Sequence, residues 1–141
     1  RYIAEHLKQD ALELTNSKRL RDYLRFELLG ETQEVFAVLC LDASLRKIAF
    51  KKLFYGSVNA CDISINQLLR YAISQQATSI VIAHNHPLGR PSPSKADLAL
   101  THQIQQACQL VDIHLIDHCI IALEGSFSFA EQQLIKPEMQ Y

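Results

Sequence analysis

Residues 84–97 read His-Asn-His-Pro-Leu-Gly-Arg-Pro-Ser-Pro-Ser-Lys-Ala-Asp, and no other stretch of the chain gathers so many side chains able to do chemistry. Just before it, Ser79-Ile80-Val81-Ile82-Ala83 is apolar and rich in β-branched residues, so it reads as a buried strand. Side chains alternate faces along extended chain, which puts His84 and His86 on one face and Asn85 on the other. After the Pro/Gly loop, a helical pattern from about Ser94 to Leu110 places Asp97 in its first turn. Two same-face imidazoles and one returning carboxylate make three ligands with a fourth position open. That is the plan of a catalytic zinc site rather than a structural one.

Such a site needs more than ligands. Zinc lowers the pKa of its water from 15.7 to about 7, and a nearby carboxylate must take that proton and later pass it to the leaving group. A hydrogen-bond donor should steady the oxyanion. Ser94 lies one helical turn before Asp97 and can supply the donor. Glu34, directly before an apolar strand, is the best-placed base, with Glu31 and Asp42 as further options. The same residues also read without a metal. His-x-His arises by chance, and Ser94-Lys95-Ala96-Asp97 is a capping box in its own right. Pro91 and Pro93 suit a helix entry. Metal ligation and capping are compatible, because the helix dipole favours a carboxylate in the first turn.

Several elements must hold these residues. Ile3, Leu7, Ala11 and Leu14 predict a short amphipathic helix over 2–14, followed by a Thr15-Asn16-Ser17 turn. A second helix is expected from Lys18 to Leu29, stopping at Gly30, with Leu20, Tyr23, Leu24 and Leu28 inward. Lys18, Arg21 and Arg25 share its other side, as a solvated face or a phosphate-contacting patch. Residues 35–41 predict a central strand and 47–54 its hairpin partner, ending at Gly56. Asp62 or Ser64 can cap a third helix, with Ser64 and Gln67 spaced as a capping box, that buries Ile65, Leu68, Leu69, Ala72 and Ile73. The strand 79–84 and the long helix follow, the latter burying Leu100, Ile104, Ala107 and Cys108. Ile113–Leu123 predicts a strand interrupted by Asp117-His118, a pair that either orients a ligand or sits at a strand bend. Phe127–Phe129 is a short strand, and 130–135 a last helical turn before Pro137. Strands alternating with helices give an α/β fold with a mixed sheet between helices.

The 141 residues fit one domain, with 48% hydrophobic and 21% charged residues and a formal net charge of −1. The pI of about 6.6 gives no support to non-specific nucleic-acid binding. Cys40, Cys61, Cys108 and Cys119 show no C-x-x-C spacing and read as free thiols of a cytoplasmic protein, with Cys119 in the core rather than on the metal. His6, His102 and His114 read as surface residues. No run reads as long enough for a membrane span, and the opening residues show no signal-peptide pattern. The chain starts at Arg1, so we expect sequence upstream.

The motif satisfies H-x-H-x7-S-x2-D at every fixed position, and in this it resembles the JAMM (MPN) metalloprotease signature. The flanks resemble the RadC-like branch of that family. They include His-Asn-His-Pro, Gly89, Pro93-Ser94-x-x-Asp97, Leu110-Val111-Asp112-Ile113, Asp117-His118 and Ser126-Phe127-Ser128-Phe129-Ala130-Glu131. The likeness spans roughly 17–135, which makes 1–16 a separate N-terminal helical segment and 17–141 the metallohydrolase domain. It implies a three-layer α-β-α fold laid out like the cytidine deaminases. It also implies one Zn2+ on His84, His86 and Asp97, an assisting Ser94, and Glu34 as water-activating base, since Glu34-Val35-Phe36 matches the family's Glu-x-Phe. Leu88 stands where the family usually has Ser, and Asp62-Ile63-Ser64 stands in place of a Pro-Arg-Glu segment, so any substrate or partner contact made by that arginine has no counterpart residue here. Full-length RadC proteins carry an N-terminal helix-hairpin-helix region, not visible here.

The expected activity is zinc-dependent hydrolysis of a peptide or isopeptide bond in a peptide or protein substrate. The alternative is a DNA repair or recombination accessory that acts as a binding module. Nucleobase deamination would require H-x-E and P-C-x-x-C, and the chain has neither.

Overall fold

A computed structural model of the chain describes residues 17–56 and 63–135. The expected helix over 2–14, His6, Cys61, the alternative cap Asp62 and Pro137 lie outside the described residues. The described elements are α1 (Ser17–Leu28), β1 (Val35–Leu41), β2 (Lys47–Tyr55), α2 (Ile65–Ser74), β3 (Ser79–His86), α3 (Lys95–Leu110), β4 (His114–Ala122) and β5 (Gly125–Ser128). The strands form one mixed sheet in the order β2-β1-β3-β4-β5. Only β3 and β4 pair in parallel, and α3 makes the crossover that a parallel pair requires.

β1 is buried at all seven positions because both faces of the sheet are covered. Phe36, Val38 and Cys40 join Ile80 and Ile82 of β3 under Leu68 of α2 and Leu100, Ile104 and Cys108 of α3. On the opposite face Val35, Ala37, Leu39 and Leu41 meet Leu20, Leu24 and Leu28 of α1. The expected three-layer α/β fold is therefore present. Leu20, Leu24 and Leu28 recur at i, i+4, the spacing that keeps them on one helical face.

Some local expectations are corrected. β3 continues through His86 rather than ending at 84, and α3 starts at Lys95 with Ser94 as its N-cap. Ile73 is 52% exposed, so the buried stripe of α2 narrows to Leu68 and Ala72. Ala107 is half-buried. β5 spans 125–128 rather than 127–129. Residues 130–133 make hydrogen-bonded turns without a helix. Asp117-His118 does not break β4, which runs unbroken from His114 to Ala122. The irregularity falls instead between Leu115 and Asp117, where the β3 register steps from Ile80 to Val81.

The basic face of α1 is not simply solvated, because the chain itself engages two of its arginines. Arg21 pairs with Glu131. Arg25 donates to the carbonyls of Leu123 at 3.1 Å and Gly125 at 3.3 Å, so Arg25 ties α1 to the β4–β5 turn and Arg21 ties it to the segment after β5. Lys18 pairs with Asp22 one turn on, at 3.1 Å. Among the described residues, no helix is long and apolar enough to cross a membrane.

Candidate metal centre

β3 is the middle strand, and its alternation delivers the two histidines. Ile80, Ile82, His84 and His86 form one row on the α3 face, so the imidazoles extend the core row to the rim of the sheet. His84 is 1% exposed and His86 half-buried. Asp97 arrives from the first turn of α3. One of its oxygens accepts from the Ser94 N–H at 2.9 Å, while its own N–H donates to Ser94 Oγ at 3.0 Å. The capping box is therefore complete, and it fixes the carboxylate while leaving it turned toward the histidines.

One ligating atom each from His84, His86 and Asp97 lies within 4.8 Å of the other two. The Nε2 atoms of His84 and His86 are 3.0 Å apart. Asp97 Oδ1 is 3.5 Å from His84 Nε2, and Oδ2 is 3.9 Å from His86 Nε2. Arms of about 2.0–2.1 Å set tetrahedral ligand atoms about 3.3 Å apart, and the observed separations bracket that spacing. The His86 Nδ1–H donates to the Arg90 carbonyl at 2.9 Å. A carbonyl only accepts, so the neutral His86 ring presents its lone pair on Nε2. These residues can hold a metal ion.

The electrostatics agree. Burial alone would push the Asp97 carboxyl up. The facing His84 and the Ser94 N–H hydrogen bond outweigh it and hold the group well below the usual carboxylate range. Asp97 is thus an anion throughout the neutral range, as a ligand must be.

Glu34 lines a cleft of about 630 Å³ together with His86, Ser94 and Asp97. Its backbone is pinned on every side. The Glu34 carbonyl accepts from Gly56 N–H at 2.9 Å. Asn85 Oδ1 accepts from Val35 N–H at 2.7 Å, and Asn85 Nδ2 donates to the Gln33 carbonyl at 3.0 Å. The other two candidate bases sit elsewhere. Glu31 pairs with Lys52 at 2.5 Å. Asp42, at the far end of β1, accepts from the Ser44 and Arg46 N–H groups. Ser94 is exposed at the cleft.

Residue types and spacing did not single out Asn85 beyond its pointing away from the histidines. The available signal was a polar side chain inside an apolar strand, because a buried amide must find partners. The Asp117-His118 pair divides its labour. Asp117 accepts from Ser128 Oγ at 2.5 Å and from the Ala130 and His118 N–H groups, which ties β5 to β4. His118 is buried beneath His84, with Nε2 2.9 Å from His84 Nδ1. Burial holds its pKa well below the ordinary histidine value, and His84 nearby adds to the effect. Burial and Asp117 push the Cys119 thiol well up, so it stays protonated in the core. His102 and His114 are exposed, as expected.

The sequence model of the RadC-like JAB domain matches residues 14–134. This chain belongs to the RadC-like JAB domain family. It is 66% identical over 135 residues to a UPF0758 protein of Acinetobacter baylyi, covering 96% of this chain and 50% of the relative. It is 63% identical over 137 residues to one of Acinetobacter baumannii, covering 97% and 58%. A third, from Psychrobacter cryohalolentis, is 43% identical over 134 residues, covering 95% and 59%. The chain thus spans about half to three-fifths the length of these relatives. In this RadC-like domain the strand end, the capped helix and the Glu34 entry converge on one cleft.

Proposed function

We propose that this domain is a zinc-dependent hydrolase of amide bonds, a metallopeptidase or isopeptidase. The observation that carries the reading is the presence of a compact two-histidine, one-aspartate ligand set in the same cleft as a glutamate whose backbone is fixed. His84, His86 and Asp97 would hold the ion. When bound, zinc supplies Lewis acidity, which eases deprotonation of water and polarises a carbonyl.

The chain's own groups do the rest. Glu34 takes the proton of the attacking water and hands it to the departing amine. The Ser94 oxygen already accepts from Asp97 N–H, which leaves the hydroxyl hydrogen to meet the oxyanion as charge develops. Asp97, oriented by the helix cap, keeps its charge against His84 and His86. The cleft shares Thr32, His86, Pro87 and Leu88 with a more apolar hollow of about 300 Å³ that Leu28, Leu29 and Leu123 also line. That pairing suits a peptide whose scissile bond lies in the cleft and whose neighbouring side chain is apolar.

The accessory-protein reading has less support, because Arg21 and Arg25 are engaged by the chain itself. Cys40, Cys108 and Cys119 are buried thiols outside any disulfide, which supports a cytoplasmic setting.

The test is a peptide-library cleavage screen with the zinc-loaded protein and Glu34→Gln, read by mass spectrometry. Glu34→Gln should bind zinc with unchanged stoichiometry and lose at least about 100-fold in rate. Equal rates would remove Glu34 as the base. Sub-micromolar, salt-steep binding of duplex or branched DNA in an anisotropy titration, with no cleavage of any peptide, would favour the accessory reading.

A further inference from the structure

His118 lies behind the ligand set, with both ring nitrogens engaged. Its Nδ1 is 2.6 Å from Thr101 Oγ1 and its Nε2 is 2.9 Å from His84 Nδ1. Thr101 has a single hydroxyl hydrogen and donates it to the Asp97 main-chain carbonyl at 2.7 Å. Its oxygen can then only accept from His118, so the His118 hydrogen sits on Nδ1. The ring is fully enclosed and stacked on Phe129, with centroids 4.4 Å apart and planes 6° from parallel. A neutral imidazole with Nδ1–H has a bare Nε2, which accepts from His84 Nδ1–H. His84 is left with its Nε2 lone pair facing His86 and Asp97.

We propose that Thr101 and His118 are positioning residues that set the tautomer of His84 through a hydrogen-bond chain starting at the Asp97 carbonyl. The helix that brings the third ligand therefore also decides which nitrogen of the first ligand is open. His86 reaches the same tautomer by a separate route, through the Arg90 carbonyl. Without the Thr101 oxygen, His118 is free to carry its hydrogen on Nε2. His84 Nδ1 must then accept, and an Nε2–H points into the cluster where a lone pair is required. This inference rests on the metal-site reading above.

The experiment uses the full chain with 15N-labelled histidine, as wild type, Thr101→Val and Thr101→Ser. Long-range 1H–15N spectra of the metal-free protein give the tautomers, and competition against a chromophoric chelator gives zinc affinity. Wild type and Thr101→Ser should both show Nδ1–H at His84 and His86. Thr101→Val should move His84 toward Nε2–H, leave His86 unchanged and weaken zinc binding about 10–100-fold. If Thr101→Val does not fold, His118→Gln compared with His118→Leu replaces it. The glutamine keeps an acceptor for His84 and should retain the affinity that the leucine loses. An Nε2–H His84 in wild type overturns the proposal, as does a Thr101→Val or His118→Leu protein that binds zinc like wild type. A protein that takes up no zinc yet shows the Nδ1–H pattern sinks the hydrolase reading and leaves this inference standing.

Discussion

Substituting Asp97 by Asn separates ligand from helix cap, and its effect can be worked out from the site. The amide oxygen still accepts from the Ser94 N–H, and the amide nitrogen, in the place of Oδ1, can donate to the bare Nε2 of His84, so the metal-free fold should be little disturbed. The anionic ligand is gone. Partners of ligands alone typically account for 10–100-fold in metal affinity, so loss of a ligand should weaken zinc at least about 100-fold. At a zinc concentration 100 times the wild-type Kd, binding stabilises the fold by about 2.7 kcal/mol. The unfolding entropy expected for 141 residues is roughly 0.3 kcal/mol per degree, so wild-type Tm should rise about 9 °C. In Asp97→Asn the same zinc only half-saturates the site, giving about 0.4 kcal/mol and a rise near 1 °C. Ser94→Ala is the control. Losing the cap should lower the metal-free Tm by about 3 °C, from about 1 kcal/mol, while most of the zinc-induced rise survives. Differential scanning calorimetry with and without zinc reads all three. A wild type that zinc does not stabilise, or an Asp97→Asn protein with the full rise, would refute the reasoning.

Two further outcomes follow from the same geometry. Asn85→Ala leaves the Val35 N–H and the Gln33 carbonyl unpaired around Glu34. It should cost about 1–3 kcal/mol of stability in urea unfolding and lower kcat while zinc affinity stays near wild type. Zinc loss as large as the rate loss would place Asn85 in the ligand shell instead. The folded Asp97 carboxyl titrates below its unfolded value near 3.9, so the folded state binds fewer protons there. Its stabilisation is therefore complete above about pH 4 and disappears as pH falls through the folded pKa. Urea midpoints of the metal-free wild type should drop more steeply below pH 4 than those of Asp97→Asn, and parallel curves would contradict the assignment.

Local sequence determined much of this protein, because its signals act over one element. The β-branched run before His84, the alternation that pairs His84 with His86, the leucines of α1 and the Ser94–Asp97 cap all depend on neighbours within a turn or a strand. So does the position of Glu34, the residue next to an apolar strand, which the structure sets at the cleft. The tertiary structure decided what depends on partners far along the chain. Asp117 and His118 look like a break in β4, yet the strand continues, since Ser128, Ala130, Thr101 and His84 satisfy both residues. Arg25 looks solvated until the carbonyls of Leu123 and Gly125 arrive from a distant turn. Asn85 looks incidental until folding brings the entry to β1 alongside. A buried polar group needs a partner, but only the packed sheet names which one.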